Sequence, residues 1–286
     1  MATLGAFLIW GLSPLFWKLL LEVPAGQLLA HRVLWAALIL ACSLLWQRRL
    51  KETREIFTSA RVFLTLTATT ILISANWLIY IWAIVTERIV QASLGYYINP
   101  LVTVLLAMVF LSERLNRAQW IAVGLATVGV AAMVWGHGEV PWISLTLAMS
   151  FGLYGLLRKQ VQAEAETGLF VETALLSPLV VIYLLRADRL GHGAFGHIGI
   201  TTDTLLMASG VITALPLVLF THGARRLPLT TVGFLQYVAP TLQFLLAIFV
   251  FREPFTRAHL VAFLFIWTAL AVFSWDLRYR WRPPIP

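Results

Sequence analysis

Four ionisable side chains, Lys18, His31, Arg32 and Glu172, fall inside three long apolar stretches of this sequence, and Lys159 sits just past the end of a fourth. A charge in hydrocarbon is expensive, so such groups normally line a polar cavity, pair with one another or carry protons. His31 and Arg32 occupy the sixth and seventh positions of the apolar run 26–47. At 1.5 Å per residue that is about 9–10 Å deep, where an arginine needs a partner or water. Glu172 is the one acidic residue well inside such a run. A histidine or a carboxylic acid in a partly dry site can shift its pKa toward neutrality and exchange a proton. Plainer roles stay open: snorkelling of Lys18 to the headgroups, pairing of Arg32 with Glu22 or helix-end carbonyls, and a structural Glu172.

A second set of residues is aromatic or carries an amide: Trp10, Asn76, Trp77, Tyr80, Tyr96, Tyr97, Asn99, Gln236, Tyr237 and Gln243. Aromatic walls with a few amides suit a small, partly apolar solute, and aromatic faces also hold organic cations. These residues surround the expected helix breaks Pro14, Pro100, Pro216 and Pro240. A proline frees the carbonyl one turn earlier for water or ligand.

The elements that position these groups follow from composition. Of 286 residues, 60% are hydrophobic and 12% charged, and the mean hydropathy is +0.84. Soluble domains carry about 25% charged residues. A bilayer crossing takes about 20 apolar residues. Ten segments meet the pattern: 3–21, 26–47, 62–85, 91–111, 118–135, 141–157, 168–185, 203–224, 229–251 and 258–276. The expected fold is therefore an all-α, polytopic membrane protein whose first partner is the lipid bilayer. The net charge of +8 does not indicate nucleic acid, because the basic residues sit in short loops. With both termini cytoplasmic, fourteen of them fall on the inside and five on the outside, as the positive-inside rule requires. The stretch Thr3–Leu21 reads as the first span, and the single cysteine, Cys42, excludes an intrachain disulfide.

The chain also repeats itself. Between 97 and 135, eleven of 39 residues recur 140 positions later, among them Tyr97/Tyr237, Pro100/Pro240, Glu113/Glu253 and Trp135/Trp275. Earlier in each half the offset is 141, which pairs Lys18 with Lys159 and His31 with Glu172. The halves 1–136 and 137–286 each hold five spans, an odd number, so the second enters from the opposite face. Inverted five-helix (5+5) repeats with a midplane solute site are a transporter architecture. Symmetry then predicts two polar gates, Lys18/His31/Arg32 at one mouth and Lys159/Glu172 at the other. Ala118, Ala122 and Ala126 form a small-residue stripe suited to close helix packing.

The segments PLVTVLLAMVFLSERLNRAQW (100–120) and PTLQFLLAIFVFREPFTRAHL (240–260) resemble the closing helices of the two repeats of the EamA family of drug/metabolite transporters. More narrowly, AHRVLW (30–35), ANWLIYIWAIVTERIVQASLGYYINPLV (75–102), FGLYGLLRK (151–159) and LTTVGFLQYVAPTLQFLLA (229–247) resemble its RarD branch. The resemblance implies a permease of the bacterial inner membrane that exports amino acid-like, aromatic or drug-like solutes, with protons as candidate coupling ion. It implies no cofactor and no enzymatic activity. An uncoupled facilitator or channel, a membrane enzyme with Glu172 as its lone acid, and a non-transporting sensor or membrane partner are the competing readings. The loop GHGAFG (191–196) matches a dinucleotide fingerprint only in letters, since no strand precedes it. No metal site, P-loop or HExxH motif is evident.

Overall fold

Runs of Leu, Ile, Val and Ala in hydrocarbon must be helical, because every backbone N–H and C=O has to find its partner within the segment. The computed structural model describes residues 1–85, 88–135, 142–250 and 257–280, and among these it is helical with no strand. The elements are α1 (Ala2–Trp17) with a 3-10 turn (Lys18–Leu20), α2 (Ala25–Trp46), α3 (Leu50–Thr58), α4 (Ala60–Val85), α5 (Ile89–Leu111) and α6 (Arg117–Trp135). They continue as α7 (Trp142–Gln160), α8 (Ala165–Arg189), α9 (Ile200–Ala224), α10 (Leu229–Gln236), α11 (Val238–Phe249) and α12 (Arg257–Arg280).

Eight stretches among the described residues are long and apolar enough to cross a membrane. The expected spans 118–135 and 141–157 fold as α6 and α7, of 19 residues each, and are not among the eight. Helix α7 ends in Arg158 and Lys159, which shortens its apolar length. Residue 141, the end of the ninth expected span at 251 and the repeat residue Glu253 lie outside the described residues.

Two elements differ from the sequence expectation. The stretch after α2, read as a loop, forms the short helix α3; hydropathy misses it because it mixes charges with a single buried residue, Ile56. The ninth span is interrupted at Tyr237, between α10 and α11 and three residues before Pro240. By contrast, Pro14, Pro100 and Pro216 lie within helices that run on. A proline removes one hydrogen bond and kinks a helix, but neighbouring turns can carry the chain through.

The chain forms two compact units. The first, residues 1–81 with 157–226, packs α2 against α8 and α9, α1 against α9, and α3 against α8. The α2–α9 crossing depends on Gly210, where a Cβ would lie 2.6 Å from the carbonyl carbon of Trp35. Gly210→Leu forces those backbones apart. An overpacked core typically costs about 1–3 kcal/mol, so a lowered thermal midpoint in mild detergent is expected; an unchanged midpoint would contradict the tight crossing. The second unit, residues 82–156 with 227–286, packs α6 along α12 and α5 against α10. Ala122 and Ala126 are fully buried there.

Candidate functional site

In the first unit, Glu172 is reached two turns into α8 and is 1% exposed. The Thr69 hydroxyl on α4 donates to its Oε1 at 2.6 Å. Its ionic partner is Arg158, whose Nε lies 3.6 Å from the same oxygen, and Arg158 Nη2 donates to the Ala165 carbonyl at 2.8 Å. Arg158 is completely buried, although the sequence counts it among the basic residues of the inside loops. Successive helix residues step by about 100°, so Arg158 turns inward while Lys159 Nζ donates to the Ala224 carbonyl at 2.9 Å. Gly168 makes the arrangement possible, since a Cβ there would fall 2.0 Å from Arg158 Nη1.

The same end of this unit carries a polar clasp. Arg49 pairs with Glu52 at 2.7 Å and with Glu166 at 3.2 Å. Ser43 donates to Glu166, and the Thr167 hydroxyl donates to Glu52 at 2.8 Å. These contacts join the end of α2 and the start of α3 to the first turn of α8. The hydrogen bond from Arg49 is the main cause that holds the Glu52 carboxyl below its ordinary value near 4.5; the bond from Thr167 adds to it. Because the folded-state pKa is depressed, the clasp is at full strength above about pH 4.5 and weakens as pH falls through the lower, folded-state pKa. Glu52→Gln should flatten the acid limb of stability against pH, by under about 1 kcal/mol for so exposed a pair. An acid limb identical to that of the unsubstituted protein would show that the clasp adds nothing.

At the other end of this unit the Arg32 guanidinium lies over the Trp17 ring at 4.5 Å and the Trp77 ring at 5.5 Å. Its Nε donates to the Thr213 hydroxyl at 3.0 Å. His31 is buried, stacks on Phe195 with ring centroids 5.3 Å apart, and its Nδ1 has no hydrogen-bond partner among the described residues. Phe195 is held there by Gln27, which donates to the His192 carbonyl at 2.6 Å and accepts from the Ala194 N–H at 2.8 Å. Lys18 is exposed on the 3-10 turn. Trp10 packs with Phe7 and Phe220, and Asn76 and Tyr80 are half-buried on α4.

In the second unit α5 packs against α10 beside the interruption between α10 and α11. Thr103 donates to Gln236 Oε1 at 3.1 Å, and the Tyr97 hydroxyl donates to the Pro240 carbonyl at 3.4 Å. Gln236 Nε2, Asn99 Oδ1 and the Tyr237 hydroxyl are buried without a hydrogen-bond partner among the described residues. One donor, one acceptor and one group of either kind are thus presented by α5 and by the tightened turn at Tyr237, whose N–H donates to the Phe234 carbonyl at 3.2 Å. Gln243 is half-buried on α11, and Tyr96 is exposed. The candidate solute residues therefore divide, with Trp10, Asn76, Trp77 and Tyr80 in the first unit and the other six in the second. Sequence reasoning missed Arg158, Thr69, Thr213, Gln27 and Phe195. Arg158 had a signal in its place beside Lys159, whereas Thr69 and Thr213 meet their partners across more than 100 residues and had none.

Comparison with known proteins identifies the family. Residues 1–135 match the profile of the EamA-like transporter family. The chain is 43% identical over 279 residues to the protein RarD of Salmonella typhi, covering 98% of this chain and 95% of that one. It is 47% identical over 281 residues to an uncharacterized transporter of Pseudomonas aeruginosa, covering 98% and 93%. A solved crystal structure superposes with a TM-score of 0.73 at 20% identity, over 97% of both chains, and shares the fold. The chain belongs to the EamA-like transporter family, within its RarD group.

Proposed function

We propose that this membrane transporter is a secondary-active carrier that exports small amino acid-like, aromatic or drug-like solutes by alternating access, with protons as the coupling ion. In this reading ten spans form two inverted repeats, 1–136 and 137–286, in a bacterial inner membrane with both termini cytoplasmic. The observation that carries it is the trio of unpartnered buried groups, Asn99 Oδ1, Gln236 Nε2 and the Tyr237 hydroxyl, beside an interrupted helix. A buried polar group without a partner costs about 1–3 kcal/mol, a penalty that a hydrogen-bonding solute removes. Helix packing supports the repeat: α2 packs on α8, α5 on α10 and α6 on α12, and each pair joins segments equivalent at an offset of 140 or 141. A twofold axis maps each such pair onto itself. Glu172, with Thr69 and Arg158 around it, and His31 under Phe195 are the candidate proton carriers, and Lys18, Arg32 and Lys159 the cationic members of the gates.

Reconstitution into liposomes with a trapped pH-sensitive dye tests the reading against aromatic and neutral amino acids, chloramphenicol and organic cations. Saturable, solute-dependent proton movement that Glu172→Gln and His31→Asn reduce is the expected result. Unsaturable flux would replace the carrier with a channel, and binding without proton movement would indicate a facilitator. Neither binding nor flux from folded protein would leave the non-transporting reading.

A further inference from the structure

The proposed carrier makes no use of the outward side of α3. Its inward side is fixed: Ile56 is buried against Leu66, Val161 and Val171, and Glu52 is tied to Arg49 and Thr167. With those positions inward, the helical step turns Leu50, Lys51, Arg54 and Phe57 outward, and all four are exposed. Arg48 just before the helix and Arg61 just after it are exposed too. None of the four basic groups Arg48, Lys51, Arg54 and Arg61 takes part in a salt bridge among the described residues. The apolar neighbours are equally uncovered, with Phe57 at 57% exposure and Trp46, at the end of α2, at 90%.

The position of α3 selects the partner. It joins the end of one membrane-spanning helix, α2, to the start of another, α4, and so lies at the membrane boundary. A short helix with aromatic and aliphatic side chains beside Lys and Arg rests its apolar edge at the acyl boundary and its charges among the headgroups. Basic clusters next to a span attract anionic lipids. An acidic protein surface would match the charges but offers nothing apolar for Trp46, Leu50 and Phe57 to enter.

We propose that the exposed face of α3, together with Arg48 and Arg61, binds the headgroups of anionic phospholipids, and that this binding steadies the clasp between α3 and α8. The proposal is independent of what the protein carries.

The test uses the full chain in nanodiscs of phosphatidylcholine with a rising fraction of phosphatidylglycerol, read by thermal unfolding and by lipid retained in native mass spectrometry. The midpoint is expected to rise with phosphatidylglycerol, and that lipid to be retained in preference. Lys51→Gln/Arg54→Gln/Arg61→Gln should lose the response, each removed charge weakening binding about fivefold, while Arg186→Gln/Arg189→Gln keeps it. Phe57→Ser should weaken retention without any change of charge. Equal retention of both lipids, an equal loss in the control pair, or the same shift from inorganic phosphate alone would overturn the proposal. A Phe57→Ser variant that retains lipid as well as the unsubstituted protein would overturn it as well, by favouring a purely electrostatic partner.

Discussion

Replacing Glu172 with alanine is expected to destabilise the protein by about 3–5 kcal/mol, the usual cost of removing one member of a buried ion pair. The cause is Arg158. It is completely buried, its Nη2 donates to the Ala165 carbonyl, and its Nε and Nη1 have no hydrogen-bond partner among the described residues. Without Glu172 a full positive charge would remain in a site that Gly168 and α8 close off. Replacing both partners, Glu172→Leu with Arg158→Met, should recover most of the loss, because an apolar pair of similar volume removes the stranded charge. Thr69→Val should cost about 1 kcal/mol, the worth of one hydrogen bond. Thermal unfolding in detergent measures all three. A Glu172→Ala protein as stable as the original would mean that water solvates Arg158, and the double variant would then show no recovery.

Tyr237→Phe is expected to move stability and binding in opposite directions. The hydroxyl is buried and has no hydrogen-bond partner among the described residues, and phenylalanine keeps the ring and its packing. Removing the oxygen relieves a desolvation penalty of about 1–3 kcal/mol, so the midpoint rises. If the hydroxyl meets a solute, the same change weakens solute binding by about tenfold or more, since 1.4 kcal/mol is one decade. Gln236→Leu should weaken binding in the same way without gaining as much stability, because it also breaks the bond from Thr103. Solute affinity by thermal shift, set beside the midpoint without solute, separates the two effects. A rise in stability with unchanged affinity would remove Tyr237 from the solute site.

Eight of the ten expected spans were legible because hydrocarbon imposes one solution on a long apolar run; the internal repeat is a matter of recurring letters in the sequence. The interruption at Tyr237 had its signal in Pro240, yet three other prolines of the same kind sit in uninterrupted helices. Proline marks where a helix can yield, and the packing around it decides whether it does. Glu172 stood out as a lone acid, but its partner did not, because Arg158 and Lys159 differ by a single helical step and only the fold says which one turns inward. Helix α3 left no trace in hydropathy, since one buried isoleucine among charges is too little to register.

The make-up of the two compact units bears on how the chain is made. Helices α1 and α2 bury their faces against α8 and α9, which leave the ribosome more than a hundred residues later. Helices α1 and α2 therefore wait in the bilayer, inserted but without these neighbours, until the later part of the chain supplies them. Synthesised alone, either half should be cleared by membrane proteases, whereas the two halves co-expressed as separate chains, divided near residue 136, should protect one another and assemble.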